Sequence, residues 1–254
     1  MAFFNAQRTV LWCDPARALY ASAKQLRNGG ARMERAQVYA RMGWLVACAS
    51  LWFGVALAQD SAQPPAAGSA PQPEAGTPVP ATVKVVLKTS LGDISLAVET
   101  ERAPVTAANF LRYVDQKRLD GSDFYRAVTL DDDGQYGLIQ GGLRGNPKRV
   151  LKPIAHEPTT ATGLSHVNGA ISMARGDPGT ATADFFIVIG DMVALDAQPN
   201  GGDPGYAVFG HVLDGMDVVH VIVGQPRSPT AGAADMQGQM LAVPVKILTA
   251  RRAE

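Results

Sequence analysis

Residues 83–98 read Val-Lys-Val-Val-Leu-Lys-Thr-Ser-Leu-Gly-Asp-Ile-Ser-Leu-Ala-Val. Apolar and polar side chains alternate on both sides of a turn at residues 90–92, which is the period-two pattern of half-buried β-strands. This stretch predicts a β-hairpin, and therefore an antiparallel start to the folded part of the chain.

A helix is predicted directly after the hairpin. Pro104 suits the first turn of a helix, and apolar side chains then recur on one helical face, at Ala107, Phe110, Leu111 and Val114. Residues 215–223 predict a second short helix that packs on the sheet.

The rest of this region consists of short apolar segments separated mostly by Gly, Pro, Asp and Asn. Such segments lie at 124–128, 137–140, 170–174, 185–189, 207–212 and 243–248. In the last one, Val243, Val245 and Ile247 are predicted to share a face, with Pro244 on the other face or at an edge. Many short strands with only two helices favour a closed antiparallel barrel or a sandwich over an alternating βαβ sheet.

The chain divides into three regions by composition. Residues 1–58 are an N-terminal extension that ends in a predicted signal peptide, residues 59–81 a Pro- and Ala-rich linker, and residues 82–254 one globular domain. The linker has almost no large apolar side chain and six prolines, so it is predicted to be an extended, solvated spacer.

The signal peptide is predicted from a basic start followed by a short apolar run. Arg35 and Arg41 precede residues 42–58, and small residues at Ala56 and Ala58 fit a signal peptidase site after Ala58. We therefore expect a periplasmic protein with no stable membrane insertion after cleavage. Two alternatives remain open, an uncleaved membrane anchor and lipid attachment at Cys48.

Composition excludes several classes of function. Seven of the 23 basic residues but only two of the 23 acidic residues fall within residues 1–58, so the remainder is mildly acidic and presents no basic face for nucleic acid. Cleavage after Ala58 removes both cysteines, which excludes a thiol oxidoreductase or a Cys-ligated zinc site. The four histidines lack metal-ligand spacing and are expected to be surface or satisfied core residues, so no metal and no cofactor is predicted.

Several ordered motifs nevertheless point to one family. They lie at residues 103–110, 124–126, 139–142, 171–175, 184–187, 206–210 and 215–219. In this order and spacing the sequence resembles the cyclophilins, a family of peptidyl-prolyl isomerases, from Val83 to about Arg251. The resemblance implies a mainly β fold, a closed eight-stranded antiparallel barrel capped by two α-helices, in a bacterial, exported member.

The resemblance also implies a site. Arg126 matches the catalytic arginine and Gln140 the polar residue that supports it, while Phe186 matches the floor of the proline pocket. The other residues expected to bind substrate are Phe124, Leu138, Ala174, Arg175, Asp184, Leu195 and Tyr206. The backbone at 174–175 is expected to meet the substrate residues that precede proline.

Three positions depart from the family pattern. Asp184 stands where Gln is common, and a carboxylate there would either orient the guanidinium of Arg126 or compete with substrate for its donors. Tyr206 stands where many members have His. The acidic segment 129–136 is longer than usual and costs the pocket an aromatic residue, for which Tyr136 is a candidate replacement.

The function implied is peptidyl-prolyl cis-trans isomerisation in exported or folding proteins, by a non-covalent mechanism in which an arginine stabilises the twisted amide. The expected partners are proline-containing polypeptides, and the protein is expected to be a monomer. The alternative is a cyclophilin-fold peptide-binding or chaperone module with little catalytic activity.

Overall fold

The structure is a computed structural model that describes residues 81–233 and 235–253 of the 254-residue chain. The predicted signal peptide and all of the predicted linker except Ala81 lie outside the described residues. Among the residues that are described, no helix has both the length and the apolar character needed to cross a membrane.

Eight strands and three helices make up the described region. The strands are β1 (Thr82–Thr89), β2 (Gly92–Glu99), β3 (Ser122–Thr129), β4 (Gly137–Gly142), β5 (Ala170–Met173), β6 (Phe185–Ile189), β7 (Ala207–Asp214) and β8 (Met240–Arg252). The helices are α1 (Pro104–Asp115), α2 (Thr159–Thr162) and α3 (Met216–Val223), and a 3₁₀ turn spans Val193–Leu195.

The strands form a closed antiparallel barrel in the order β1-β2-β7-β5-β6-β4-β3-β8. The predicted hairpin is confirmed, with Val85 opposite Leu96, and the barrel closes where Leu87 of β1 lies opposite Ala250 of β8. The strand pattern alone is compatible with a barrel or a sandwich, and closure of the ring excludes the sandwich. Helices α1 and α3 are the two predicted, whereas α2 is a single additional turn.

The barrel interior holds the main hydrophobic core, and α1 closes against it. The predicted apolar face of α1 is buried at all four positions. Phe110 makes an edge-to-face contact with Phe185 at 5.5 Å between ring centroids, and its ring centroid lies 5.1 Å from that of Phe209. Strand alternation and helix periodicity therefore supply one common core.

Strand β8 departs from the predicted alternation. Val245 and Ile247 are buried as expected, but Val243 is 78% exposed, so the prediction for that residue was wrong. Phe124 pairs with Val245 and Arg126 with Met240, so β8 advances by five residues while β3 advances by two. Pro244 cannot donate to a ladder, and β8 leaves its regular register beside it. The irregularity brings Gln239 next to β3, where its carbonyl accepts the N–H of Ala127 at 2.9 Å.

Candidate active site

A row of paired residues crosses the outer surface of the barrel. Arg126 of β3 pairs with Gln140 of β4, which pairs with Phe186 of β6, and Phe186 pairs with Ser172 of β5. Residues directly opposite each other in antiparallel strands point to the same face. Arg126 and Phe186 are thus separated by two strand spacings, about 10 Å at the backbone.

A bulge at Tyr125 turns Arg126 to this face. Phe124 pairs with Gly141 and Arg126 with Gln140, so β3 contains one residue more than β4 at this point. In a regular strand Phe124 and Arg126 would share a face, but the extra residue reverses the alternation. Phe124 accordingly belongs to the barrel core, with its ring 5.8 Å from that of Phe185. The structure therefore does not bring Phe124 to the site with Arg126.

Two glutamine side chains hold the guanidinium of Arg126. Its Nη1 donates to Oε1 of Gln140 at 2.9 Å, and its Nε donates to Oε1 of Gln239 at 2.8 Å. Nη2 donates to the same oxygen of Gln239. Contacts from two directions fix both the position and the plane of the guanidinium, which is buried.

Tyr125 fixes the amide of Gln140 in turn. Nε2 of Gln140 donates to the Tyr125 hydroxyl oxygen at 2.8 Å, which leaves Oε1 of the amide directed at Arg126. Burial raises the pKa of the Tyr125 hydroxyl far above its usual value, so the phenol is neutral. The guanidinium of Arg144 lies over the Tyr125 ring at 4.5 Å.

A second hydrophobic cluster, here called the outer cluster, covers the same face beside Arg126. Its buried members are Val128, Leu138, Ala170, Ala174, Phe186, Val188, Met192, Leu195, Tyr206 and Val208. The predicted pocket residues Leu138, Phe186 and Leu195 are thus together, and Ala174 and Tyr206 join them. The Tyr206 ring meets Phe186 edge-on at 5.5 Å.

Arg175 contributes its side chain to the support of Tyr206. Its guanidinium lies 4.8 Å from the centre of the Tyr206 ring and donates from Nε to the Gly205 carbonyl at 3.1 Å and from Nη1 to the Gly176 carbonyl at 2.7 Å. The cation is therefore tied to the backbone on either side of the pocket rather than projecting into solvent.

Asp184 is not among the residues that hold Arg126. Its Oδ1 accepts the N–H of Arg144 at 2.8 Å, and the nearby backbone N–H groups of Leu143 and Gly145 favour the charged carboxylate, whereas Oδ2 is buried with no hydrogen-bond partner among the described residues. Neither expected role, orientation of the guanidinium or competition for its donors, is visible in these contacts. Burial raises the pKa of Asp184, against the smaller opposing effect of these N–H donors.

Tyr136 remains a candidate for the missing pocket aromatic. Its ring lies against Gly190, close enough that a Cβ placed on that glycine would come within 2.6 Å of the ring. Gly190 follows β6 and precedes Met192 of the outer cluster. The side chain is 47% exposed, and a role in substrate binding stays a prediction.

Sequence reasoning missed Gln239 and Tyr125 as site residues. Gln239 is 113 residues away from Arg126 in the chain and lies in a segment without regular periodicity. Tyr125 belongs to the motif at residues 124–126, which does not by itself indicate a role for its hydroxyl. The position of Gln239 depends on the irregular register of β8, which a local sequence pattern does not encode.

The arrangement places a fixed cation beside an apolar surface. A guanidinium stays protonated throughout the physiological pH range, and its donors lie in one plane. Among the described residues, no group of three or more His, Cys, Asp or Glu side chains could hold a metal ion. The chemistry available is hydrogen bonding and electrostatic stabilisation next to a hydrophobic surface.

Comparison with known proteins identifies the family. The family described as cyclophilin type peptidyl-prolyl cis-trans isomerase/CLD matches residues 84–251. A peptidyl-prolyl cis-trans isomerase of Acinetobacter baylyi is 36% identical over 172 residues, covering 66% of this chain and 85% of the relative. One from Streptomyces antibioticus is 37% identical over 165 residues, covering 63% and 94%.

The fold is likewise that of solved cyclophilins. A Cryptosporidium parvum cyclophilin type peptidyl-prolyl cis-trans isomerase, crystallised in the presence of the dipeptide Ala-Pro, superposes with a TM-score of 0.54 at 19% identity. The match covers 67% of this chain and 99% of that one. The chain belongs to the cyclophilin-type peptidyl-prolyl cis-trans isomerases, a family of isomerase enzymes.

Proposed function

We propose that this protein accelerates rotation about X-Pro bonds by a non-covalent mechanism in which Arg126 stabilises the twisted amide. The observation that carries the proposal is the fixed guanidinium. Gln140 and Gln239 hold it on the same barrel face as the outer cluster, whose Phe186 and Leu195 would receive the proline ring.

The chemistry requires only selective stabilisation of the twisted state. Resonance between the nitrogen lone pair and the carbonyl gives the peptide bond a rotational barrier of about 18–20 kcal/mol. At the perpendicular geometry this resonance is lost, and the nitrogen becomes pyramidal and accepts a hydrogen bond. A fixed cationic donor therefore binds the twisted state more strongly than either planar isomer.

The rate acceleration expected from such a site is physically reasonable. Lowering the barrier by about 7 kcal/mol would accelerate exchange roughly 10⁵-fold. Apolar walls hold the proline ring and keep water away, which strengthens the electrostatic interaction with the guanidinium. Neither binding of the proline ring nor rotation of the amide forms a covalent bond between the substrate and the enzyme.

The proposal is tested by exchange NMR on an Ala-Pro peptide with wild type, Arg126→Ala and Arg126→Lys. We expect on-enzyme exchange to fall by about 10²–10³-fold in Arg126→Ala, the range found when one transition-state donor is removed. Arg126→Lys keeps the charge but loses the planar donor set, so it should recover little activity. Arg252→Ala, which removes a surface ion pair with Asp115, is the matched control and should behave as wild type.

The outcomes separate the two candidate functions. Equal exchange rates for wild type and folded Arg126→Ala would reject the role of Arg126. Peptide binding by the wild type without any acceleration would favour the alternative, a peptide-binding or chaperone module. Circular dichroism melts establish that each variant is folded.

We also propose that the mature protein acts in the periplasm on exported polypeptides. The basic start, the apolar run and the small residues before Gln59 support this. Expression of the full chain in a Gram-negative host should yield a periplasmic product that begins at Gln59 and has no thiol. Recovery of an uncleaved product from the cytoplasm or the membrane fraction would contradict export and cleavage.

A further inference from the structure

Three polar side chains form a hydrogen-bonded chain beneath the outer cluster. Nδ1 of His166 lies 2.5 Å from Oδ1 of Asp196, and Nε2 of His166 lies 2.9 Å from Oγ of Ser172. His166 and Ser172 are fully buried. This buried cluster was not expected to have a functional role from the sequence.

The surroundings of Asp196, His166 and Ser172 determine which of these three side chains are charged. Burial lowers the pKa of His166 more than Asp196 raises it, so the imidazole is neutral at neutral pH. Burial acts to raise the pKa of Asp196, but hydrogen bonds from His166 and Ser165 outweigh it and lower that pKa. The carboxylate must therefore receive the proton on Nδ1, and Nε2 accepts the Ser172 hydroxyl.

A Ser-His-Asp chain is also the arrangement of nucleophilic hydrolases. Here Ser172 lies in the middle of β5, paired with Phe186 on one side and Val208 on the other, and its hydroxyl is fully buried. The contacts of His166 lead into the walls of the pocket, so we interpret these three side chains as a support for the pocket and not as a nucleophilic triad.

His166 instead contacts two parts of the pocket at once. Its ring stacks parallel to Phe186, with 5.9 Å between ring centroids and 9° between planes. Its backbone and side chain also hold residues 192–196, here called the Leu195 segment. The Met192 N–H donates to the His166 carbonyl at 2.7 Å, and the His166 N–H donates to Oδ1 of Asp196 at 3.0 Å.

Further hydrogen bonds hold the Leu195 segment in place. Oγ of Ser165 donates to Oδ2 of Asp196, and the Tyr206 N–H donates to the Leu195 carbonyl at 3.0 Å. The segment therefore connects His166 to two members of the outer cluster, Leu195 and Tyr206. A change at His166 would reach the floor of the pocket through Phe186 and its wall through Asp196.

We propose that His166, fixed by Asp196 and Ser172, is a positioning residue that sets the proline pocket by holding both Phe186 and the Leu195 segment. This rests on the proposed function in that the pocket is taken to bind proline. Because the pocket holds the proline ring in the planar and twisted states alike, loss of His166 affects binding, whereas loss of Arg126 affects exchange.

Two variants of the full mature chain separate the two contacts. His166→Phe keeps a ring against Phe186 but removes both side-chain hydrogen bonds. His166→Asn keeps an amide donor near the Nδ1 position for Asp196 but removes the ring. His220→Asn, at an exposed position of α3, is the matched control.

Peptide affinity and on-enzyme exchange are measured separately by NMR titration and exchange spectroscopy with the same Ala-Pro peptide. We expect both His166 variants to bind about ten-fold more weakly or worse, with bound-state exchange little changed, because loss of contacts that bind the planar and twisted states equally weakens binding without changing the barrier on the enzyme. His220→Asn should bind as wild type. A ¹⁵N spectrum of the wild type should show His166 neutral and protonated on Nδ1.

The outcomes distinguish this inference from the proposed function. Wild-type affinity in both folded His166 variants would overturn the inference while leaving isomerase activity intact. A wild type that binds the peptide but does not accelerate exchange would reject the proposed catalysis, and the affinities would still decide the role of His166. A wild type that does not bind the peptide would reject both.

Discussion

Among the described residues, two neutral amide oxygens contact the guanidinium of Arg126. A carboxylate in the same place would draw the guanidinium into an ion pair and reduce its attraction for a polar group of the substrate. Gln140 and Gln239 provide directional contacts through amide oxygens that carry no net charge of their own. The amide side chains therefore suit a cation that has to act on a substrate.

Gln239 can be tested at this scale. Gln239→Ala removes the acceptor of both Nε and Nη2 of Arg126, and we expect exchange to fall by about ten-fold or more as the guanidinium loses its plane. The loss of a hydrogen bond to a charged group should also cost about 1.5–3 kcal/mol of unfolding free energy.

Gln239→Glu is the informative companion variant. It keeps the acceptor but adds a charge, so it should be more stable than Gln239→Ala and still catalyse poorly. Wild-type exchange in Gln239→Ala would show that the contact with Gln239 is not required for catalysis.

The raised pKa of Asp184 predicts that the stability of the fold depends on pH. Its pKa is raised in the folded state by burial, so the folded protein binds that proton more tightly than the unfolded chain. The resulting stabilisation is present below the unfolded pKa of about 3.9 and is lost as the pH rises through the folded pKa.

Asp184→Asn removes this titration. Relative to wild type, its unfolding free energy should therefore improve progressively as the pH is raised from 4 to 7, as measured by urea denaturation at each pH. A constant difference between the two proteins across this range would contradict the assigned pKa direction.

At the scale of elements, α1 depends on a residue far from it in sequence. Its N-cap, Ala103, offers no side-chain cap, although the first N–H groups of a helix need acceptors. Glu157 supplies them, accepting the N–H of Val105 at 3.0 Å and of Thr106 at 2.6 Å. A carboxylate at this end also interacts favourably with the helix dipole.

Glu157→Ala should therefore destabilise the fold without affecting catalysis. We expect the unfolding free energy to fall by about 1–3 kcal/mol, because two backbone donors lose a charged acceptor. Exchange on the Ala-Pro peptide should be unchanged below the melting transition. An unchanged melting temperature would mean that water replaces the carboxylate at no cost.

At the scale of the whole molecule, the barrel is closed by its first and last strands. β1 pairs with β2 on one side and with β8 on the other, so the two ends of the domain stabilise each other. Every strand of the barrel lies within residues 82–252. The strands that close the barrel therefore all lie outside the predicted linker.

A chain that starts at Ala81 should consequently fold and catalyse as well as one that starts at Gln59. Thermal melts and exchange rates of the two should coincide. A chain that starts at Arg102 lacks β1 and β2 and should show no cooperative unfolding, because β7 and β8 then each lose a partner. A large loss of stability on removing residues 59–80 would contradict the predicted domain boundary.

The sequence alone determined the hairpin, both principal helices and most strands. Each is encoded by a period of side chains along a short stretch, as in residues 83–98 or on the apolar face of α1, and such periods act locally. The ordered motifs also predicted the family, and they predicted that Arg126, Gln140 and Phe186 lie in one site.

Tertiary structure decided which side chains share a surface. A single bulged residue at Tyr125 sends Phe124 into the core and Arg126 outward. The shift in β8 brings Gln239 to Arg126 across 113 residues, and Asp184 turns to backbone N–H groups instead. These outcomes depend on register between strands distant in sequence, and register is set by the packing of the whole barrel rather than by any one segment.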